Sequence, residues 1–525
     1  MNRMLKQIIW VAGTLALLSV FQGSARADLQ SEVTEGYLLI DQWRFEEAEA
    51  VTQELLKRYP NSGDVHFLNA RVEFYKGNYE KAWRILETVD DQYHTVKEFK
   101  TLVSNTREAT SVFVTQESEH FIFHYVDGPD QVLIPYAIEV LEKSYQVLGK
   151  VLGYFPKQKV RVEIYPDRIP FARISPLTLK DIMTSGTVAL CKYNRIMMIS
   201  PGSLVRGYSW MDTLSHEYTH YLLSSKSYNN APLWLHEGIA KYLETRWRQE
   251  AGYMTPVMET ILADGLANDY MVALEDMMPS LAKLKNAEDV QLAYAEVATM
   301  VDYMVQQKGE TVLAQLAASL AEGSPFEMAL ETHVGKGLNE FQTDWKKHMD
   351  GRQLKTIPGL TVLKFRFKNN RSPGEADLAK EAALQEAGNQ RAHDLTLLGD
   401  ILKSRQYIPA AIVEYQKAID ESKMLSPILY NKLAGTYLLQ KDYAKSEVLL
   451  RKSLHYYPQF ATTLTHLGEL YYMKKDYAAA EKYFHEALRI NPFNPLVHTR
   501  LINIYAALGQ TQKKEQQGLL YSYIK

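Results

Sequence analysis

A period of 34 residues runs through the last quarter of this chain and narrows its architecture more than any other feature. Leu464, Leu467, Gly468, Tyr471, Ala480, Phe484, Ala487 and Pro492 mark one copy. One period earlier, Tyr430, Leu433, Ala434, Tyr437, Ser446, Leu450, Ser453 and Pro458 hold the same places. After a one-residue slip, Leu395, Leu398, Gly399, Leu402, Ala411, Tyr415 and Ala418 repeat the pattern. Small residues at this spacing let two antiparallel helices approach closely, while large ones fill the gaps within and between hairpins.

This is the pattern of a tetratricopeptide repeat. Leu501 and Tyr505 begin a fourth first-helix, read as the start of a cap. A more degenerate copy stands near the N-terminus, where Phe45 and Ala48 recur as Tyr79 and Ala82 and Pro60 closes the first unit. Between the two repeat blocks the texture changes. His120–Val126 and Val160–Tyr165 run apolar or alternate at strand length, a helix spans about Val132 to Val151, and Gly186–Ser200 reads as a hairpin turning near Lys192–Asn194. From Trp210 to about Met349 the pattern is almost wholly helical, so a small sheet followed by helices predicts an α+β unit.

The expected organisation is therefore a leader over 1–27, helical repeats over 28–110, an α+β domain over 111–350, a connector over 351–390 and C-terminal repeats over 391–525. The connector holds one strand-like run, Thr361–Lys368, and the breaker Asn369–Gly374. The leader has a basic end at Arg3 and Lys6, an apolar run of 13 residues from Ile8 to Val20, and a small-x-small site at Ala25-Arg26-Ala27. That is a secretory signal peptide, because a spanning helix needs about 20 apolar residues. It predicts a periplasmic or secreted protein with no membrane span after cleavage.

Without the leader the chain has 56 basic and 62 acidic residues, which excludes nucleic acid as the expected partner. Protein partners through the repeats are expected instead. A lone Cys191 in an exported chain leaves no internal disulfide, and its place in the apolar run Thr187–Cys191 predicts a small buried residue rather than a nucleophile.

The chemistry concentrates at His216-Glu217-Tyr218-Thr219-His220. Trp210–Leu223 lacks Gly and Pro and follows Ser209, with Asp212 at the third helical position, so the motif lies in a helix. Positions four apart share one helix face, which lets the His216 and His220 imidazoles reach one ion. A catalytic zinc takes three protein ligands and leaves one position open. The third is expected on a neighbouring element, and Leu233–Glu244, a helix started by Pro232, carries Glu237. His236 points about 100 degrees away from Glu237 and reads as structural.

His-Glu-x-x-His followed by Trp234-Leu235-His236-Glu237-Gly238-Ile239-Ala240 resembles the gluzincin clan of metallopeptidases, in particular bacterial peptidase MA-like proteins joined to tetratricopeptide repeats. The likeness covers roughly Ser118 to Met349. It implies a zincin-like domain of small mixed sheet and helices, one zinc per chain on His216, His220 and Glu237, and Glu217 as general base. It also implies an edge strand within Thr187–Ser200 that holds an extended peptide or protein substrate, and a Tyr, for which Tyr294 is the candidate, bonding the oxyanion. An endopeptidase is the expected activity. The chain departs from the clan at one place: the acid that orients a zinc histidine, usual four residues after the ligand Glu, is Lys241 here. That departure keeps open an alternative, a weak or inactive envelope scaffold or chaperone acting through its repeats.

Overall fold

In the repeats, small residues stand against large ones across the hairpin. A Cβ on Gly468 would stand 2.5 Å from the Phe484 ring, and one on Gly399 would stand 2.6 Å from Tyr415. The middle copy solves the same packing with Ala434 and Leu450, both in one buried cluster. The computed structural model describes residues 28–90, 94–249, 252–368 and 386–525. The leader expected over 1–27 and the breaker Asn369–Gly374 lie outside these residues.

Contacts divide the chain into two units, one of residues up to Ala109 with Tyr228–Asn230, the other of Thr110–Ser227 with Ala231–Lys525. The first unit is helical, with a helix over 28–41 followed by Phe45–Arg58, Gly63–Tyr75, Tyr79–Leu86 and His94–Thr110. Phe45 and Tyr79 each open the second helix of a hairpin, and Ala48 and Ala82 are fully buried one turn on.

The second unit opens with a five-stranded sheet, β1 (Phe113–Glu117), β2 (Phe121–Val126), β3 (Val160–Tyr165), β4 (Ala189–Lys192) and β5 (Arg195–Ile199). Their spatial order is β1-β2-β3-β5-β4, with β2, β3 and β5 parallel and the outer strands antiparallel to their neighbours. β3 and β5 are buried along their whole length, as central parallel strands must be when both faces are covered. β1 was not expected, because Thr115-Gln116-Glu117 is polar and Val114–Glu117 are exposed.

Helix α1 (Ile134–Leu152) makes the crossover from β2 to β3. Tyr193 and Asn194, both at φ 57°, form the two-residue turn from β4 to β5, where the twist of a hairpin favours positive φ. Tyr221 Oη donates to Asn194 Oδ1 at 3.0 Å and ties this turn to helix α2 (Trp210–Ser227). α2 meets α1 through small residues, with Ser144 Oγ donating to Ser215 Oγ at 3.1 Å in a buried contact. Helices α3 (Leu233–Leu243) and α4 (Ala287–Lys308) follow. Asp212 in the first turn of α2 accepts from Trp247 Nε1 at 2.9 Å and Arg248 Nε at 3.1 Å, which fixes the chain leaving α3.

The C-terminal repeats pair Gln390–Ser404 with Ile408–Ser422, Pro427–Leu439 with Tyr443–Tyr456, Ala461–Met473 with Tyr477–Leu488, and Pro495–Ala507 with Thr511–Tyr523. The last pair completes the cap that Leu501 and Tyr505 were expected to start, and Thr511–Tyr523 is polar. This block is bonded to the α+β domain. Tyr208 N–H donates to Ile490 O at 3.2 Å, and Gly207, at φ 69°, would place a Cβ only 2.1 Å from the same oxygen. The expected strand Thr361–Lys368 is reduced to one antiparallel bridge, Leu204 with Phe367, flanked by Val205 N to Arg366 O at 2.7 Å and Lys368 N to Ser203 O at 2.8 Å. Its other end is held by a side chain instead, Thr361 N donating to Tyr457 Oη at 3.2 Å, so no longer ladder forms.

Asp130, before α1, accepts from Ser200 Oγ at 2.6 Å, and burial raises its pKa from 3.8 to about 6. A carboxyl that holds its proton more tightly when folded costs stability as pH rises above the unfolded value, and the full cost is present above the folded one. Asp130→Asn keeps the acceptor and removes the titration. The variant is expected to match the parent near pH 4 and to exceed it near pH 8 by about 2–3 kcal/mol. Thermal melts at the two pH values test this, and equal midpoints near pH 8 would contradict it.

Candidate metal centre

The period of α2 places His216 and His220 on one face, and α3 brings Glu237 opposite them. His216 Nε2 lies 3.2 Å from His220 Nε2, and Glu237 Oε2 lies 3.6 Å from the first and 3.5 Å from the second. A tetrahedral ion with bonds of about 2.0–2.1 Å separates its donors by about 3.3–3.4 Å, so this triangle has the size of a zinc ligand set. Glu237 Oε2 is buried and has no hydrogen-bond partner. Burial alone would raise the Glu237 pKa, but the facing His220 and His216 hold it well below the usual carboxylate range. A buried anionic oxygen without a donor, against two imidazole nitrogens, fits a cation-binding set.

Glu217, one position round the helix, is buried beside this triangle and belongs to no ligand group. It accepts a hydrogen bond from the Cys191 backbone on β4, so the sheet's outer strand and the motif helix meet at this carboxylate. Burial is the main cause that raises its pKa. Cys191 is half-buried on β4, not fully buried as expected, and its thiol is pushed up by the surrounding protein and then by Glu217, which disfavours the thiolate. His236 is buried and its pKa is lowered to about 3 by burial and by His220, so it is a neutral packing residue, 5.7 Å from the His220 ring.

The acid missing at Lys241 is supplied one turn later. Glu244 Oε2 lies 3.4 Å from His216 Nδ1, and Lys241 Nζ donates to the other oxygen, Oε1. Seven helical positions return to within about 20 degrees of the starting direction, closer to the Glu237 face than four positions do. Burial would lower the His216 pKa, but Glu237 and Glu244 outweigh it and raise it to about 10. The sequence reading missed Glu244, although its offset of two turns from Glu237 was the available signal.

Gly238 sets the approach of α4, because a Cβ there would stand 2.6 Å from Val297 O. α4 consequently carries Tyr294 into the site, where its ring lies 6.0 Å from that of His216 and its hydroxyl feels the Glu237 carboxylate. Burial and then the Glu237, Glu217 and Glu244 carboxylates raise its pKa far above the ordinary value, so the hydroxyl keeps its proton. Next to the site is a cavity of about 370 Å³, lined by His216, Glu217, Tyr294 and Ala189 and, on another side, by the connector and a repeat turn.

Residues 146–351 match the Peptidase MA superfamily, residues 461–494 the Tetratricopeptide repeat, and residues 6–117 the Iml2/Tetratricopeptide repeat protein 39 family. Uncharacterized protein YhcO of Bacillus subtilis (strain 168) is 20% identical over 256 residues, 47% of this chain and 74% of that protein. Among solved structures, leukotriene A4 hydrolase from Saccharomyces cerevisiae is 13% identical, over 78% of this chain and 67% of that one, with a TM-score of 0.28. Yeast Tom70 is 10% identical, over 92% and 81%, with a TM-score of 0.20. The chain carries a Peptidase MA superfamily domain joined to tetratricopeptide repeats.

Proposed function

We propose that this protein is an exported zinc-dependent endopeptidase with one metal per chain. The convergence of His216, His220 and the partnerless Glu237 oxygen, with Glu217 beside them, carries the reading. A zinc ion held by these three side chains would supply an activated water and a Lewis acid for the scissile carbonyl. Glu217 takes the proton of the attacking water and delivers it to the leaving amine. Its raised pKa suits both halves of that transfer. Tyr294, still protonated, donates toward the oxyanion. β4 is the sheet's outer strand beside Glu217, the place for an extended substrate to add by main-chain bonds.

Export rests on the Met1–Ala27 leader, and no described helix is long and apolar enough to cross a membrane. The repeats offer surfaces for protein partners. The scaffold reading drew on Lys241, and with Glu244 against His216 that support falls away.

Glu217→Gln is expected to abolish cleavage of casein or of a peptide library while leaving zinc content unchanged. Residual cleavage near the parent rate would overturn the mechanism. Glu244→Gln, which loses the charge behind His216, is expected to weaken zinc binding by about 10–100-fold in chelator competition. An unchanged affinity would show that Glu244 does not act on the metal centre.

A further inference from the structure

The cavity beside the metal centre is not enclosed by the peptidase domain alone. Leu363 and Phe365 of the connector, and Tyr456 and Phe460 of the turn between two C-terminal hairpins, line it together with Val257. Phe460, Tyr456, Leu363 and Val257 pack in one apolar cluster, so this wall is a continuous structure. Phe365 stays 36% exposed although its ring abuts Gly186, 3.3 Å from the Cβ position there, and lies 5.9 Å from the Tyr208 ring. It is an aromatic group left open on the cavity that also borders His216 and Glu217.

The charges around this space are largely spent on each other. Arg206 holds Glu386 at 2.6 and 3.0 Å, Arg366 reaches the same carboxylate at 3.2 Å, and Lys241 pairs with Glu244. Lys364 is the further cation of the lining. A space of about 370 Å³ is at the small end of ligand pockets, fit for one bulky side chain with its flanking backbone and too small for a folded loop.

We propose that the connector and the repeat turn form the pocket that selects the substrate residue next to the cleaved bond, and that this pocket takes a large apolar or aromatic side chain. The inference rests on the peptidase reading of the neighbouring site. It makes the C-terminal repeats a wall of the catalytic cleft in addition to any recruiting role. An added apolar side chain in such a pocket is worth about ten- to hundredfold in discrimination.

The test uses full-length, zinc-loaded Glu217→Gln protein and fluorescent peptides identical except for Ala, Leu, Phe or Glu at the centre. Phe and Leu peptides are expected to bind at least about tenfold more tightly than Ala. Phe365→Ala in that background should narrow the difference, and Phe365→Lys should move the preference to the Glu peptide, with zinc content and thermal midpoint unchanged. Equal affinities, no binding by any peptide, a Glu preference without substitution at Phe365, or a profile indifferent to both substitutions would each overturn the proposal. Cleavage is followed separately in the parent chain. Selective binding without cleavage there would defeat the peptidase reading and leave the pocket standing.

Discussion

One buried carboxylate organises the centre of this molecule. Glu237 Oε2 sits between two imidazoles with no hydrogen bond of its own, and a buried charge in that state is costly unless a cation or further donors meet it. The surrounding structure converges on this point. α2 delivers two nitrogens from one face, Glu244 stands behind His216, Lys241 balances Glu244, and Gly238 lets α4 come close enough to bring Tyr294 over the site. These groups form a layered set of alternating charge, in which removal of one leaves the next unpaired.

The parts of this arrangement governed by local periodicity were legible in the sequence. A spacing of four on an uninterrupted helical segment puts His216 and His220 on one face, and Pro232 followed by an apolar run announces the helix that carries Glu237. The 34-residue period likewise gives the hairpins, because Gly468 against Phe484 is a steric rule written directly in residue size. Glu244 shares the Glu237 face by its offset of two turns, but an acid at a helix end looks like surface until the partner across the interface is known. The acid expected in the place of Lys241 stands at Glu244 instead, paired with Lys241 and 3.4 Å from His216 Nδ1. β1 escaped because an exposed edge strand needs no apolar alternation, and Thr361–Lys368 alternates without becoming a strand because its neighbour offers only one bridge.

Long-range assembly explains the placement of the repeats. Their sequence describes a self-sufficient solenoid, yet Ile490 accepts from Tyr208, and the turn after Tyr456 packs with the connector against Val257. One side of the cavity beside His216 and Glu217 is thus lined by the connector and by Tyr456 and Phe460, more than a hundred positions beyond the α+β domain. That wall joins two parts of the molecule that composition alone keeps separate.

X-ray absorption spectroscopy at the zinc edge on the purified mature protein tests the metal centre most directly. The account predicts one equivalent of zinc with light-atom ligands at about 2.0–2.1 Å, two of them imidazole nitrogens. Absence of stoichiometric zinc after loading, or a sulfur ligand at about 2.3 Å from Cys191, would contradict it.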